Sequence, residues 1–286
     1  MLRSARPRPI ADDHDEVHDH DRGLAFDVHT LVARRRALQL LGGAGLVALV
    51  GCGAKGSDGS ASTSTTGASS TAATGATTAD EVIPEETAGP YPGDGSNGPD
   101  VLSESGIVRQ DITSSFGDAS GTAEGIPLEI RFSVVDVDSG EPVPGAAVYA
   151  WHCTRDGGYS MYSQGLEDEN FLRGVQETDD DGAVAFTSIF PGAYDGRWPH
   201  VHFEVYQSVD AATNGGDPLA TSQIALPEDT CSEVYATEGY EASVSNLSRT
   251  SLETDMVFAD SWEQELGTIT GSVDGGDLVV TLPVGI

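Results

Sequence analysis

Leu128-Glu129-Ile130-Arg131-Phe132-Ser133-Val134 alternates apolar and polar residues without a break. Successive side chains of a strand point to opposite faces, so this stretch presents Leu128, Ile130, Phe132 and Val134 to one buried side. The same kind of signal recurs outward from it. Residues 146–151, 183–189 and 201–206 are short runs rich in β-branched and aromatic residues, with Ser139-Gly140 and Asp181-Gly182 as turns. Near the end, residues 268–273 and 278–282 flank Asp274-Gly275-Gly276-Asp277, a hairpin signal. No long stretch of the mature part carries a 3.6-residue amphipathic period, and no repeat of 20–50 residues is present. Many short strands at regular spacing predict an all-β sandwich or barrel.

The chain has 286 residues, enough for one large domain, and a formal charge of −32 from 14 basic and 46 acidic residues. The charge is uneven. Residues 1–51 hold seven Arg and seven Asp or Glu, so the excess lies beyond them, with seven basic against 39 acidic residues. Such a surface repels phosphates, which argues against nucleic acid as a partner and against a basic patch on an anionic membrane.

The amino end reads as an address. Arg34-Arg35-Arg36 precedes an apolar run of residues 37–50, too short to span a bilayer comfortably and typical of a signal-peptide core. Paired arginines before such a run resemble a twin-arginine export signal, with Leu38 where Phe is usual. Leu49-Val50-Gly51-Cys52 resembles a bacterial lipobox, whose Cys carries the lipid. Residues 53–79 are nearly all Ser, Thr, Gly and Ala and bury too little apolar surface to order. The expected organisation is a signal peptide at 1–51, a disordered tether at 52–80 and one folded domain at 81–286, tethered to the membrane outside the cell through Cys52. Cys153 and Cys231 then remain, and an even pair in an exported protein predicts a disulfide between them.

Only three histidines lie beyond residue 30, and His200 and His202 are two of them. On a strand, residues i and i+2 share a face, so these two imidazoles stand side by side as metal ligands can. Alone, a His-x-His is as readily a hydrogen-bonded surface pair. Two tyrosines, Tyr159 and Tyr194, each follow a glycine-containing turn upstream. Each alone reads as half-buried packing. Two phenols and two imidazoles together suit ferric iron, a hard ion that favours anionic oxygen and lowers the pKa of its ligands.

Ordered along the chain, these segments resemble the intradiol ring-cleavage dioxygenases, the family of catechol and protocatechuate dioxygenases. The resemblance rests on Thr87-Ala88-Gly89-Pro90-Tyr91, on residues 140–146 and 151–159, on the Pro191-Gly192-Ala193-Tyr194 turn and on residues 197–203. It spans roughly residues 86–223, with a weaker tail to about 258. It implies an Ig-like β-sandwich with long active-site loops and a mononuclear non-haem Fe(III). The iron would be held by Tyr159, Tyr194, His200 and His202. The activity implied is insertion of both atoms of O2 into a catechol-type aromatic, cleaving between the hydroxylated carbons. By the same resemblance Tyr194 also acts in catalysis, Arg197 is the active-site arginine and Gln223 lies near the bound catechol. His152 matches no ligand and reads as structural. Pro92 replaces a second tyrosine often found after Tyr91. Only five residues separate Tyr194 from His200, which predicts a more open pocket than that of intracellular catechol dioxygenases.

Other readings are weaker. Asp179-Asp180-Asp181-Gly182 lacks the later Glu of a calcium loop and reads as a solvated turn. No Gly-x-Ser-x-Gly supports serine-hydrolase chemistry. Glu204 shares the face of His200 and His202, which leaves Fe(II) on two histidines and a carboxylate as an alternative. A non-catalytic ligand-binding module at the cell surface is the alternative of a different class.

Overall fold

The computed structural model describes residues 79–286. The leader, lipobox and nearly all of the tether expected before residue 81 lie outside the described residues. Among the described residues nine strands form two sheets: β1 (Pro127–Asp136), β2 (Glu141–Pro142), β3 (Ala147–Trp151), β4 (Arg173–Glu177), β5 (Ala183–Ile189), β6 (His200–Tyr206), β7 (Ala220–Ala225), β8 (Thr268–Thr270) and β9 (Leu278–Gly285). Four short helices intervene late in the chain: α1 (Val209–Thr213), α2 (Glu228–Tyr235), α3 (Glu241–Leu247) and α4 (Trp262–Glu265). No helix among the described residues is long and apolar enough to cross a membrane.

In one sheet β1 pairs with β2 and β5 on one side and with β9 on the other, and β8 closes the far edge. The second sheet has the order β4-β3-β6-β7, all antiparallel. The molecule is therefore the expected β-sandwich. The core lies between the sheets. Leu128, Ile130, Phe132 and Val134 of β1 meet Val148 and Ala150 of β3 and Val201, Phe203 and Val205 of β6 there. The alternation that marked β1 survives because its other face stays partly exposed. The expected β8–β9 hairpin forms, with Thr268 opposite Thr281.

The second sheet is covered on both faces, and β6 is buried along its whole length. Its outer face carries Tyr149 and Trp151 of β3, Arg173 of β4, His200, His202 and Glu204 of β6, and Gln223 of β7. Cross-strand register sets Trp151 opposite His202 and His202 opposite Gln223. Chain segments without regular structure pack over this face, so polar groups that would normally meet water are enclosed in protein.

One expectation is corrected. Cys153 and Cys231 are buried free thiols, not a disulfide. Cys153 Sγ donates to the Gly192 carbonyl at 3.4 Å, whereas Cys231 Sγ, on α2, is directed to Leu226 O at 3.8 Å. Each sulfur is turned to its own carbonyl rather than to the other, and a bridge needs the two Cβ–Sγ vectors to converge.

Candidate metal centre

The pleat of β6 alone brings His200 and His202 together. Their Nε2 atoms lie 3.1 Å apart. Tyr194 Oη is 3.1 Å and Tyr159 Oη 3.5 Å from His200 Nε2. Four donors named from sequence therefore converge on one point. Ligands of a first-row metal bound at about 2.1 Å with angles of about 90–120° stand roughly 3.0–3.6 Å apart, which these separations match.

The tautomer of His200 is fixed by its other nitrogen. Nδ1 lies 2.5 Å from the Trp198 carbonyl, which can only accept, so the proton sits on Nδ1 and the Nε2 lone pair faces the cluster. His202 is held by stacking instead. Its ring lies parallel to Trp151, 4.9 Å between centroids and 4° between planes. Nδ1 of His202 is buried with no hydrogen-bond partner among the described residues.

The tyrosines are placed by two loops that touch. Gly157 takes a φ of +86°, and a Cβ there would stand 3.1 Å from Tyr194 Cβ, so a side chain at 157 would push the two loops apart. Tyr159 is further fixed by its backbone N–H, which donates to Ser163 Oγ at 2.8 Å. The Tyr194 loop is pinned by Ser243 Oγ, which accepts from Ala193 N, and by Asn246, which donates to Ala193 O. Above His202 runs the segment of residues 86–91. Gly89, at φ +71°, sits where a Cβ would lie 3.2 Å from His202 Cε1.

Burial holds three of the donors, His200, His202 and Tyr159, in their neutral forms. Burial lowers His200 to about 3, with Arg197 adding to the effect. Burial, then the neighbouring His200, carries His202 well below the usual imidazole range. Burial and the adjacent Tyr194 hold the Tyr159 phenol well above its ordinary value. Neutral imidazoles are the metal-binding form, and a phenol so placed ionises only for a strongly charged ion. The donor set fits a hard trivalent metal.

Arg197 and Asp255 form a buried ion pair, with side chains 3% and 0% exposed and Nε 3.0 Å from Oδ2. Burial alone would lower Arg197, but Tyr194 and Asp255 outweigh it and raise its pKa. Arg197 Nη2 donates to Gln223 Oε1 at 2.7 Å, and Gln223 Nε2 donates to the Thr87 carbonyl at 2.8 Å. The two residues named as catalytic beside the metal ligands are thus one hydrogen-bonded chain.

His152 lies apart, its Nδ1 2.8 Å from Cys153 O and its Nε2 2.6 Å from Ser188 Oγ, in keeping with a structural role. Glu204 shares the face of the two histidines, but its carboxylate accepts from Tyr206 Oη at 2.6 Å and Thr221 Oγ1 at 3.4 Å. Among the described residues no three His, Cys, Asp or Glu side chains group as a metal site. The two-histidine, one-carboxylate alternative therefore has no geometry behind it. Asp179 Oδ1 accepts from the amides of Asp181 and Ala183, as a turn does.

Sequence reasoning missed Asp255, Trp151 and Phe258. Asp255 is one of 46 acidic residues, and nothing in its neighbourhood singles it out. Trp151 could have been placed beside His202 only through strand register. Phe258 packs its ring 6.3 Å from His200 and 5.7 Å from Arg197 Cζ.

Known proteins bear on this geometry. Residues 97–210 match a family described as Dioxygenase. Chlorocatechol 1,2-dioxygenase of Rhodococcus opacus is 44% identical over 57 residues, 20% of this chain and 22% of that protein. Catechol 1,2-dioxygenase of a Pseudomonas species (strain EST1001) is 36% identical over 56 residues, 20% of this chain and 18% of that one. These alignments span about a fifth of the curated relatives. The solved intradiol ring-cleavage dioxygenase of Tetranychus urticae is 27% identical, with a TM-score of 0.56, over 72% of this chain and 94% of that one.

Proposed function

We propose that the protein, whose β domain resembles the intradiol ring-cleavage dioxygenases, cleaves a catechol-type aromatic with O2 between its two hydroxylated carbons, giving a muconate-type dicarboxylate. The convergence of Tyr159, Tyr194, His200 and His202 within 3.1–3.5 Å of His200 Nε2 carries this reading. These four residues would hold a mononuclear Fe(III). When bound, the iron supplies a Lewis acid that draws electron density from the catechol ring and opens it to O2 without an external reductant.

The chain's own residues do the rest. His200 and His202 stay neutral because burial excludes their protonated forms. Tyr194, less buried than Tyr159, is the side chain that, as a phenolate, would take up a catechol proton at Oη and become a neutral phenol. Tyr159 stays fixed under Tyr91, whose ring lies 4.9 Å from its own. Arg197 stabilises the negative charge that develops on the ring during attack, as a preorganised donor in a site closed to water. Gln223 keeps Arg197 in register with the segment over His202. Trp151, Phe258 and Tyr91 exclude bulk water around the four donors.

The arginine motif, apolar run and Cys52 support export of the protein to the outer side of the membrane, tethered by lipid at Cys52. Cys52→Ser should yield protein without lipid, and a variant still lipidated would refute the tether. No observation favours the non-catalytic module. A panel of catechols assayed for oxygen uptake and ring-opened product tests the activity. Uptake with at least one catechol is expected, and none with any would overturn it.

A further inference from the structure

Arg197 is held by contacts that reach it from across the chain. Its Nε donates to Asp255 at 3.0 Å (Oδ2) and 3.3 Å (Oδ1), its Nη2 donates to Gln223, and the Phe258 ring lies 5.7 Å from Cζ. Nη1 makes no hydrogen bond among the described residues. Asp255 does more than neutralise. Oδ2 also accepts from Trp198 N at 2.6 Å, and Oδ1 accepts from Val257 N at 2.8 Å and Phe258 N at 3.2 Å. One buried carboxylate therefore ties the arginine side chain, the backbone entering β6 and the turn that carries Phe258 into one rigid unit.

A guanidinium on a long side chain has many rotamers, and holding it in one requires partners that do not move. Arg197 Nε and the amides of Trp198, Val257 and Phe258 all donate to the Asp255 carboxylate, so its two oxygens act as acceptors. A neutral amide cannot replace it, because its NH2 must face one of those donors.

We infer that Asp255 is the positioning residue that aims Arg197 at the reacting ring. This rests on the dioxygenase reading of the site. Asp255 makes no hydrogen bond to the four donors, and Arg197 is the one side chain among the described residues that its carboxylate bonds. That distinction has a kinetic signature. Two residues acting as one unit give losses that do not multiply, whereas a merely structural aspartate gives losses that do.

The test is a double-mutant cycle on the full-length, iron-loaded protein, with kcat and KM measured on the catechol that the wild type turns over fastest. Arg197→Leu should lower kcat by about 10²–10³. Asp255→Asn should lower kcat by about 10–100-fold, since a misplacement on the order of 1 Å can cost about 10². Its KM should move less than about threefold, with iron content and visible colour retained. The double variant should be no slower than Arg197→Leu alone. Should Asp255→Asn not fold, the same cycle is read with Asp255→Glu, which keeps the charge but displaces the guanidinium by a methylene. A wild-type kcat in the Asp255 variant, or a double variant slowed by the product of the single losses, would overturn the inference. A wild type inactive on every catechol removes the dioxygenase reading and this inference with it. An active wild type with multiplying losses removes this inference alone.

Discussion

Arg197→Leu separates two consequences of one contact. In the folded protein the Asp255 carboxylate is fully enclosed and Arg197 supplies its counter-charge. Removing one partner of a buried pair typically costs about 3–5 kcal/mol, because a charge is left without compensation. Here the carboxylate keeps three backbone donors, from Trp198, Val257 and Phe258, at 2.6–3.2 Å. That places the loss near the lower end, about 3 kcal/mol. For a domain of this size each kcal/mol shifts Tm by about 2–4 °C, so Tm should fall by about 6–12 °C. The catalytic loss is separate, about 10²–10³ in kcat. Calorimetry on the iron-loaded protein reads the first, and steady-state oxygen uptake reads the second. An unchanged Tm in Arg197→Leu would refute the buried-pair argument, and an unchanged kcat would refute the role of the guanidinium.

Tyr159→Phe and His202→Ala should each lose iron or shift the visible phenolate-to-metal absorption band. Full colour and activity in both would sink the ligand assignment. Gly89→Ala puts a Cβ about 3.2 Å from His202 Cε1 at a φ of +71°. Destabilisation of about 1 kcal/mol or more and a displaced visible band are expected, against an unaltered spectrum if the contact is immaterial. Burial raises Glu265 to about 7, only partly offset by the hydroxyls of Ser261 and Ser222. A carboxyl raised in the folded state contributes stability that is complete below its unfolded pKa and is lost as pH rises through about 7. Glu265→Gln should therefore flatten the fall of Tm between about pH 5 and pH 8, worth about 3 kcal/mol at most. Identical pH profiles for variant and wild type would contradict that.

How much was legible follows from which faces are covered. β1 alternates in sequence because one side meets the core and the other remains partly open. β4 and β7, Arg-Gly-Val-Gln-Glu and Ala-Thr-Ser-Gln-Ile-Ala, carry no such period, since both sides of that sheet are covered and small or polar residues suffice. They escaped notice as strands. Helix α2, at eight residues, is too short to show an amphipathic stripe. The His200–His202 pair was legible because the pleat alone sets it, whereas Tyr159 and Tyr194 were named through the family resemblance, since a glycine turn by itself marks no ligand. Asp255 lies 58 positions from Arg197 and meets it only through tertiary packing. The even cysteine count misled because parity says nothing about where two sulfurs point.

The central claim is tested most directly by a single turnover of the iron-loaded protein with a catechol under ¹⁸O2, with no reductant added. The account predicts a product opened between the two oxygenated carbons, carrying label from O2. Cleavage outside that pair, or an absolute requirement for ascorbate or another reductant, would contradict it.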